Sequence, residues 1–280
     1  MSEPATHAST PDWTSAAHPL WRWLLAACAA ANVLPLWAGH HLPFTDLPQH
    51  AAAIATLRHF WDPAWKAQQY FTLALSQTQY LLYYAAGAIL ALPLGTAERA
   101  NLVLLSCVGA SFPYALRALL RALRADERLA LFAAPLFWSQ SLLIGFFNYL
   151  AALPLLLWGL ALAVRNASAP ARRTAWLLAG ASLALFYLHL SAFLFFAPAA
   201  VLATWLLPRP REVTLRALAI ALVRTPLRLA WMIPSACAAL LFLWKSPVVD
   251  PAAAGWQGPR RIAFEDFASA LHNLPAALTD

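Results

Sequence analysis

Apolar residues in this chain gather into runs that approach the length needed to cross a hydrocarbon core, about 20 helical residues for about 30 Å. The runs are Trp23–Gly39, Gln79–Gly95, Ala100–Leu116, Leu129–Leu143, Tyr149–Val164, Thr174–Leu188, Leu190–Leu207 and Leu229–Trp244. Leu129–Leu143 and Thr174–Leu188 are short. The latter runs directly into Leu190–Leu207, with only His189 and Ser191 as polar punctuation. Together they are too long for one ordinarily tilted span, so a tight helical hairpin with His189 near its tip is expected. Between the first two runs, Ala51–Trp61 predicts a further helix, because its alanines, Leu57 and Phe60 favour one.

Polar positions decide which runs cross. Arg117, Arg121, Arg124 and Arg128 form a first basic turn, and Arg165, Arg172 and Arg173 a second. Arg209, Arg211, Arg216, Arg224 and Arg228 form a third. If Gln79–Gly95 does not cross, all three turns fall on the cytoplasmic side together with Arg22, as the bias of cytoplasmic loops toward Lys and Arg demands. Arg58, Lys66, Arg99, Lys245, Arg260 and Arg261 are then external.

The expected architecture is therefore an all-α, polytopic transmembrane bundle of about seven spans. Residues 1–22 form a cytoplasmic tail, 23–244 the helical core with an external loop at 40–78, and 245–280 an external segment, read as a possible truncation. Gln79–Gly95 becomes an external juxtamembrane helix whose Tyr80, Tyr83 and Tyr84 suit the lipid–water interface. The basic stretch within 206–227 is expected on the cytoplasmic surface beneath anionic lipid. Eight spans with an external N-terminus also satisfy the three turns.

Composition agrees. Of 280 residues, 61% are apolar and 11% charged, against about 25% charged in soluble domains; mean hydropathy is +0.59. This excludes a water-soluble monomer and a disordered chain. The net charge of +7 lies in short loops between apolar runs, so it reports orientation rather than nucleic-acid binding. Cys28, Cys107 and Cys237 all sit in apolar runs, which leaves no disulfide framework or cysteine zinc site. The sequon Asn166-Ala167-Ser168 lies in a cytoplasmic turn under this topology.

Candidate chemistry concentrates after the first run, in Leu42-Pro43-Phe44-Thr45-Asp46-Leu47-Pro48-Gln49-His50. Asp46 and His50 are four apart, so a helix opened near Pro48 brings them close. The carboxylate can serve as a general base, with the imidazole supporting it or binding phosphate. Alternatively, Asp46 only caps that helix. Glu98 and Arg99 read either as a surface ion pair or as a lipid-phosphate contact. His40, His41, His50 and His59 do not make a zinc site, since the spacing of the last two sets them on opposite sides of a helix.

The order of Asp46-x-Pro48-x-His50, Ala97-Glu98-Arg99-Ala100, the turn Arg117–Arg128, Gly145-Phe146-Phe147-Asn148-Tyr149-Leu150 and Leu188-His189-Leu190-Ser191 resembles the GT-C superfamily. These are polytopic membrane glycosyltransferases that use polyprenyl-phosphate sugars; the likeness is to bacterial members and spans roughly residues 20–245. The resemblance implies a GT-C-like fold in a bacterial plasma membrane, with a lipid-linked sugar donor and membrane lipids as partners and no nucleic acid. Asp46 matches the first-loop acid, a general base or metal-site residue, and with His50 it forms the implied catalytic pair. Gln49, Arg99, Asn148, His189, Arg260 and Arg261 are the implied substrate-binding residues. Asn148 stands where many relatives carry an acid that often ligates a divalent metal, the one cofactor the resemblance allows. A non-catalytic GT-C-like scaffold or a transporter component is the rival reading. Transport is disfavoured because the central spans hold no Asp, Glu, Lys or Arg.

Overall fold

A computed structural model describes residues 19–39, 42–73, 79–207 and 225–245. Among these the chain is all-helical, without a strand. The expected N-terminal tail up to residue 18, His40 and His41, the basic stretch at 208–224 and the segment with Arg260 and Arg261 lie outside the described residues.

Three long helices form the frame: α1 (Pro19–Trp37), α4 (Ala97–Ala122) and α7 (Phe147–Ser168). Between α1 and α4 lie α2 (Leu47–Arg58) and α3 (Leu81–Leu94). Two short helices, α5 (Ala133–Phe137) and α6 (Gln140–Ile144), lead into α7. It is followed by α8 (Arg172–Leu188), α9 (Leu190–Leu206) and α10 (Ile233–Lys245). Helices α1, α4 and α7 are long and apolar enough to cross a membrane, and α3, α9 and the 230–244 segment are shorter apolar helices. The chain is a helical membrane protein.

Helix α4 packs against α1 on one side and α7 on the other, and α7 also meets α8 and α9. Lipid-embedded helices associate through close packing and a few polar links rather than by escaping water, and the α1–α4 seam has both. The Asn32 amide donates to the Gly109 carbonyl at 2.9 Å, and the Trp37 indole donates to Ser106 Oγ at 2.9 Å. A Cβ at Gly109 would stand 3.3 Å from the Asn32 Cβ and 3.0 Å from the Phe137 ring. Ser182 and Ser235, both fully buried, join α8 to α10 at 2.6 Å.

The bundle has two chemically distinct ends. At one, Glu127 accepts from Arg117 at 2.7 Å and from Arg121 at 2.8 Å, Arg128 pairs with Asp126, and the Arg128 guanidinium lies over the Trp21 ring. At the other, the loop bearing Asp46 meets the turn between α6 and α7 and the break between α8 and α9.

Two expectations change. Leu129–Leu143 is not one helix: it is a 3₁₀ segment (Glu127–Phe132), then α5, then α6, with helical geometry lost at Trp138 and Ser139. Pro135 cannot donate to the preceding turn, and the serines around Gln140 compete for backbone groups. The helix read at Ala51–Trp61 starts at Leu47, with Pro48 in its first turn, and ends at Arg58. The break at His189 between two apolar helices is where the sequence places it.

Candidate active site

The Asp46 loop is held by main-chain bonds to a segment far along the chain. Thr45 N donates to the Leu143 carbonyl and Asp46 N to the Ile144 carbonyl, both at 3.0 Å. These bonds lay Asp46 against Gly145, where a Cβ would stand 2.7 Å from the Asp46 Cβ and 2.9 Å from its backbone nitrogen. Gly145 also has φ +104, a conformation that side chains rarely tolerate. Glycine is required there twice over.

Asp46 occupies the N-cap position of α2, yet its carboxylate makes no capping hydrogen bond. The side chain is half-buried and lines a cavity of about 280 Å³. One turn on, buried His50 places Nε2 2.7 Å from the Gly145 carbonyl oxygen. A carbonyl only accepts, so Nε2 carries the proton and Nδ1 of the neutral ring is left an acceptor. Burial lowers the His50 pKa below its ordinary 6.5, opposed in part by the Gly145 bond and the Asp46 charge. The ring stacks on Tyr84 and lies 4.6 Å from that of Phe147.

The cavity gathers Asp46, Gln49, His50, Asn148 and His189, with Tyr80, Tyr84 and Tyr149 as aromatic walls. Asn148 is buried in the first turn of α7, with its side chain near the Tyr84 hydroxyl. His189 sits in the α8–α9 break, with Tyr80 and Tyr149 edge-on to its ring. Three of these side chains keep a buried polar atom without a partner: His50 Nδ1, Asn148 Oδ1 and His189 Nδ1.

Arg99 does not join this set. It lies at a second cavity with Glu98, on the side of the Asp46 loop lined by Phe44, Leu47 and Pro48. Its backbone N–H is satisfied by the Thr96 cap. Tyr83 departs from the interfacial role expected of it: it is 2% exposed and its hydroxyl donates to Asn101 on α4. Gly145 and the walls Tyr84, Phe147 and Tyr149 carry no catalytic signature in sequence, and only their positions in space reveal them. His59 stacks on Trp65 and pairs with Asp62 at 3.3 Å, away from His50.

The donor set does not suit a resident divalent metal. The cavity offers one carboxylate, two amides and two imidazoles, one of the imidazoles committed to Gly145. Among the described residues no three His, Cys, Asp or Glu side chains form a ligating group, whereas hard cations call for several oxygen ligands.

A further apolar cavity of about 580 Å³ runs between α2 and α3, lined by Ala52, Ala53, Leu57, Phe60 and Leu81. It shares Gln49 and Tyr84 with the polar cavity. In comparisons with known proteins, no family model, curated protein or solved structure matches the chain.

Proposed function

We propose that this chain is a GT-C-type membrane glycosyltransferase, moving a sugar from a polyprenyl-phosphate donor at the external face of a bacterial plasma membrane. The observation that carries the reading is the meeting of Asp46, His50, Asn148 and His189 at one cavity that opens beside an apolar one. A donor of this class has a polar head and a hydrocarbon tail, and adjoining cavities of those two characters match it. In this arrangement about seven segments cross, and the Arg117–Arg128 end faces the cytoplasm.

The chemistry needs one base. Asp46 accepts the proton of the acceptor hydroxyl while that oxygen bonds to the anomeric carbon. The bond from that carbon to the phosphate oxygen breaks, and its electron pair leaves with the polyprenyl phosphate. A single displacement of this kind inverts the anomeric centre. An uncapped carboxylate is available for that task, whereas a capping one would be committed to the helix. Gln49 and the tyrosine hydroxyls supply hydrogen bonds to the leaving phosphate.

The test is transfer in membrane vesicles that hold the full chain and its native acceptor, supplied with a panel of undecaprenyl-phosphate sugars. Release of undecaprenyl phosphate is read by mass spectrometry. One donor is expected to be consumed, and Asp46→Asn to lower the rate about 100-fold or more, the usual contribution of a general base. Wild-type turnover in the Asn variant removes the assignment.

A further inference from the structure

Three polar groups at the cavity present acceptors without a partner or cap: Asp46, His50 and Asn148. The Asp46 carboxylate lacks a capping partner. His50 Nδ1 is an acceptor because Nε2 is committed to the Gly145 carbonyl. Asn148 Oδ1 has no partner, and an amide oxygen has no proton to give. Among the described residues the cavity lining includes no lysine or arginine, and its only formal charge is that of Asp46. Flat rings border these acceptors, with Tyr84 stacked on His50 and the Phe147 ring 4.6 Å from it.

Burying a second carboxylate beside this set costs like-charge repulsion and leaves several acceptors facing one another. A group bearing hydroxyls does the reverse, since each hydroxyl brings a proton to an atom that lacks one. The C–H face of a sugar ring also suits an aromatic wall. We propose that the cavity selects a neutral, hydroxyl-rich glycosyl group and rejects one carrying a carboxylate, with Asp46, His50 and Asn148 as the residues that discriminate. This rests on the glycosyltransferase reading and adds to it the class of sugar.

Binding tests the selectivity without requiring turnover. The purified full chain in detergent is titrated with undecaprenyl-phosphate glucose, undecaprenyl-phosphate glucuronate and bare undecaprenyl phosphate. The two sugars differ only in a hydroxymethyl against a carboxylate. The glucose lipid is expected to bind at least tenfold more tightly than the glucuronate lipid. Asn148→Leu is expected to bring the glucose lipid to within a few-fold of the bare lipid. A glucuronate lipid that binds as well as the glucose lipid overturns the selectivity and leaves the transferase reading standing. An unchanged Asn148→Leu variant overturns the part given to Asn148. Failure of all three lipids to bind overturns the transferase reading, and this inference with it.

Discussion

Individual residues at the polar cavity make distinct predictions. Gly145 permits both the close approach to Asp46 and the positive φ of its turn. Gly145→Ala should cost about 1–3 kcal/mol in backbone strain, and the displaced Asp46 should reduce transfer more than stability. Thermal unfolding in detergent, set beside the transfer rate, separates the two effects. His50 predicts a pH dependence with a definite sign. Its folded pKa is depressed by burial, so between that value and the unfolded 6.5 the unfolded chain binds more protons. Stability should therefore be full above pH 6.5 and fall as the pH drops through the folded pKa. In His50→Gln that part of the slope should vanish from melting curves taken between pH 7.5 and 5. Asp46 and His50 were legible in sequence because an acid, a helix-opening proline and an imidazole fall within five positions. Asn148 and His189 were marked only by resemblance. The ring walls were not legible as a site, since tyrosines beside apolar runs fit the membrane interface equally well.

Helices were easier to read than the joints between them. The apolar runs locate α1, α4 and α7 to within about six residues at each end, and the polar pair His189 and Ser191 marks the α8–α9 break, because hydrophobic periodicity survives without tertiary information. Leu129–Leu143 shows where that fails. Apolar content is the same in a continuous helix and in three short pieces, and the division at Trp138–Ser139 follows from local backbone competition and from docking of residues 143–144 onto the Asp46 loop. The joint between the end of α4 and the 127–132 turn is electrostatic. Two arginines on successive turns of α4 grip one carboxylate, and the hydrogen bond from Arg121 leads in holding the Glu127 carboxyl below its usual range. Glu127→Gln should cost about 1 kcal/mol, in the upper range for partly exposed pairs, with the difference shrinking at high salt. Chemical unfolding in detergent at low and high ionic strength measures it.

For the whole molecule, the two-ended bundle predicts a labelling pattern. In a cysteine-free background, Leu123→Cys and Ala169→Cys should react with an impermeant maleimide only after the membrane is opened. Trp61→Cys should react in intact cells; all three positions are exposed. Reaction of residues 61 and 123 from the same side would dissolve the proposed orientation. The main-chain clasp between residues 45–46 and 143–144 has a consequence for biogenesis. His50 and the carbonyl that orients it are 95 positions apart, so at roughly 5–20 residues per second a ribosome needs on the order of 10 s to supply the second after the first. During that interval the loop after α1 has been synthesised with its acid and imidazole unclasped. A nascent chain arrested before the glycine turn should therefore be open to proteases across residues 42–58 and become resistant once that turn emerges.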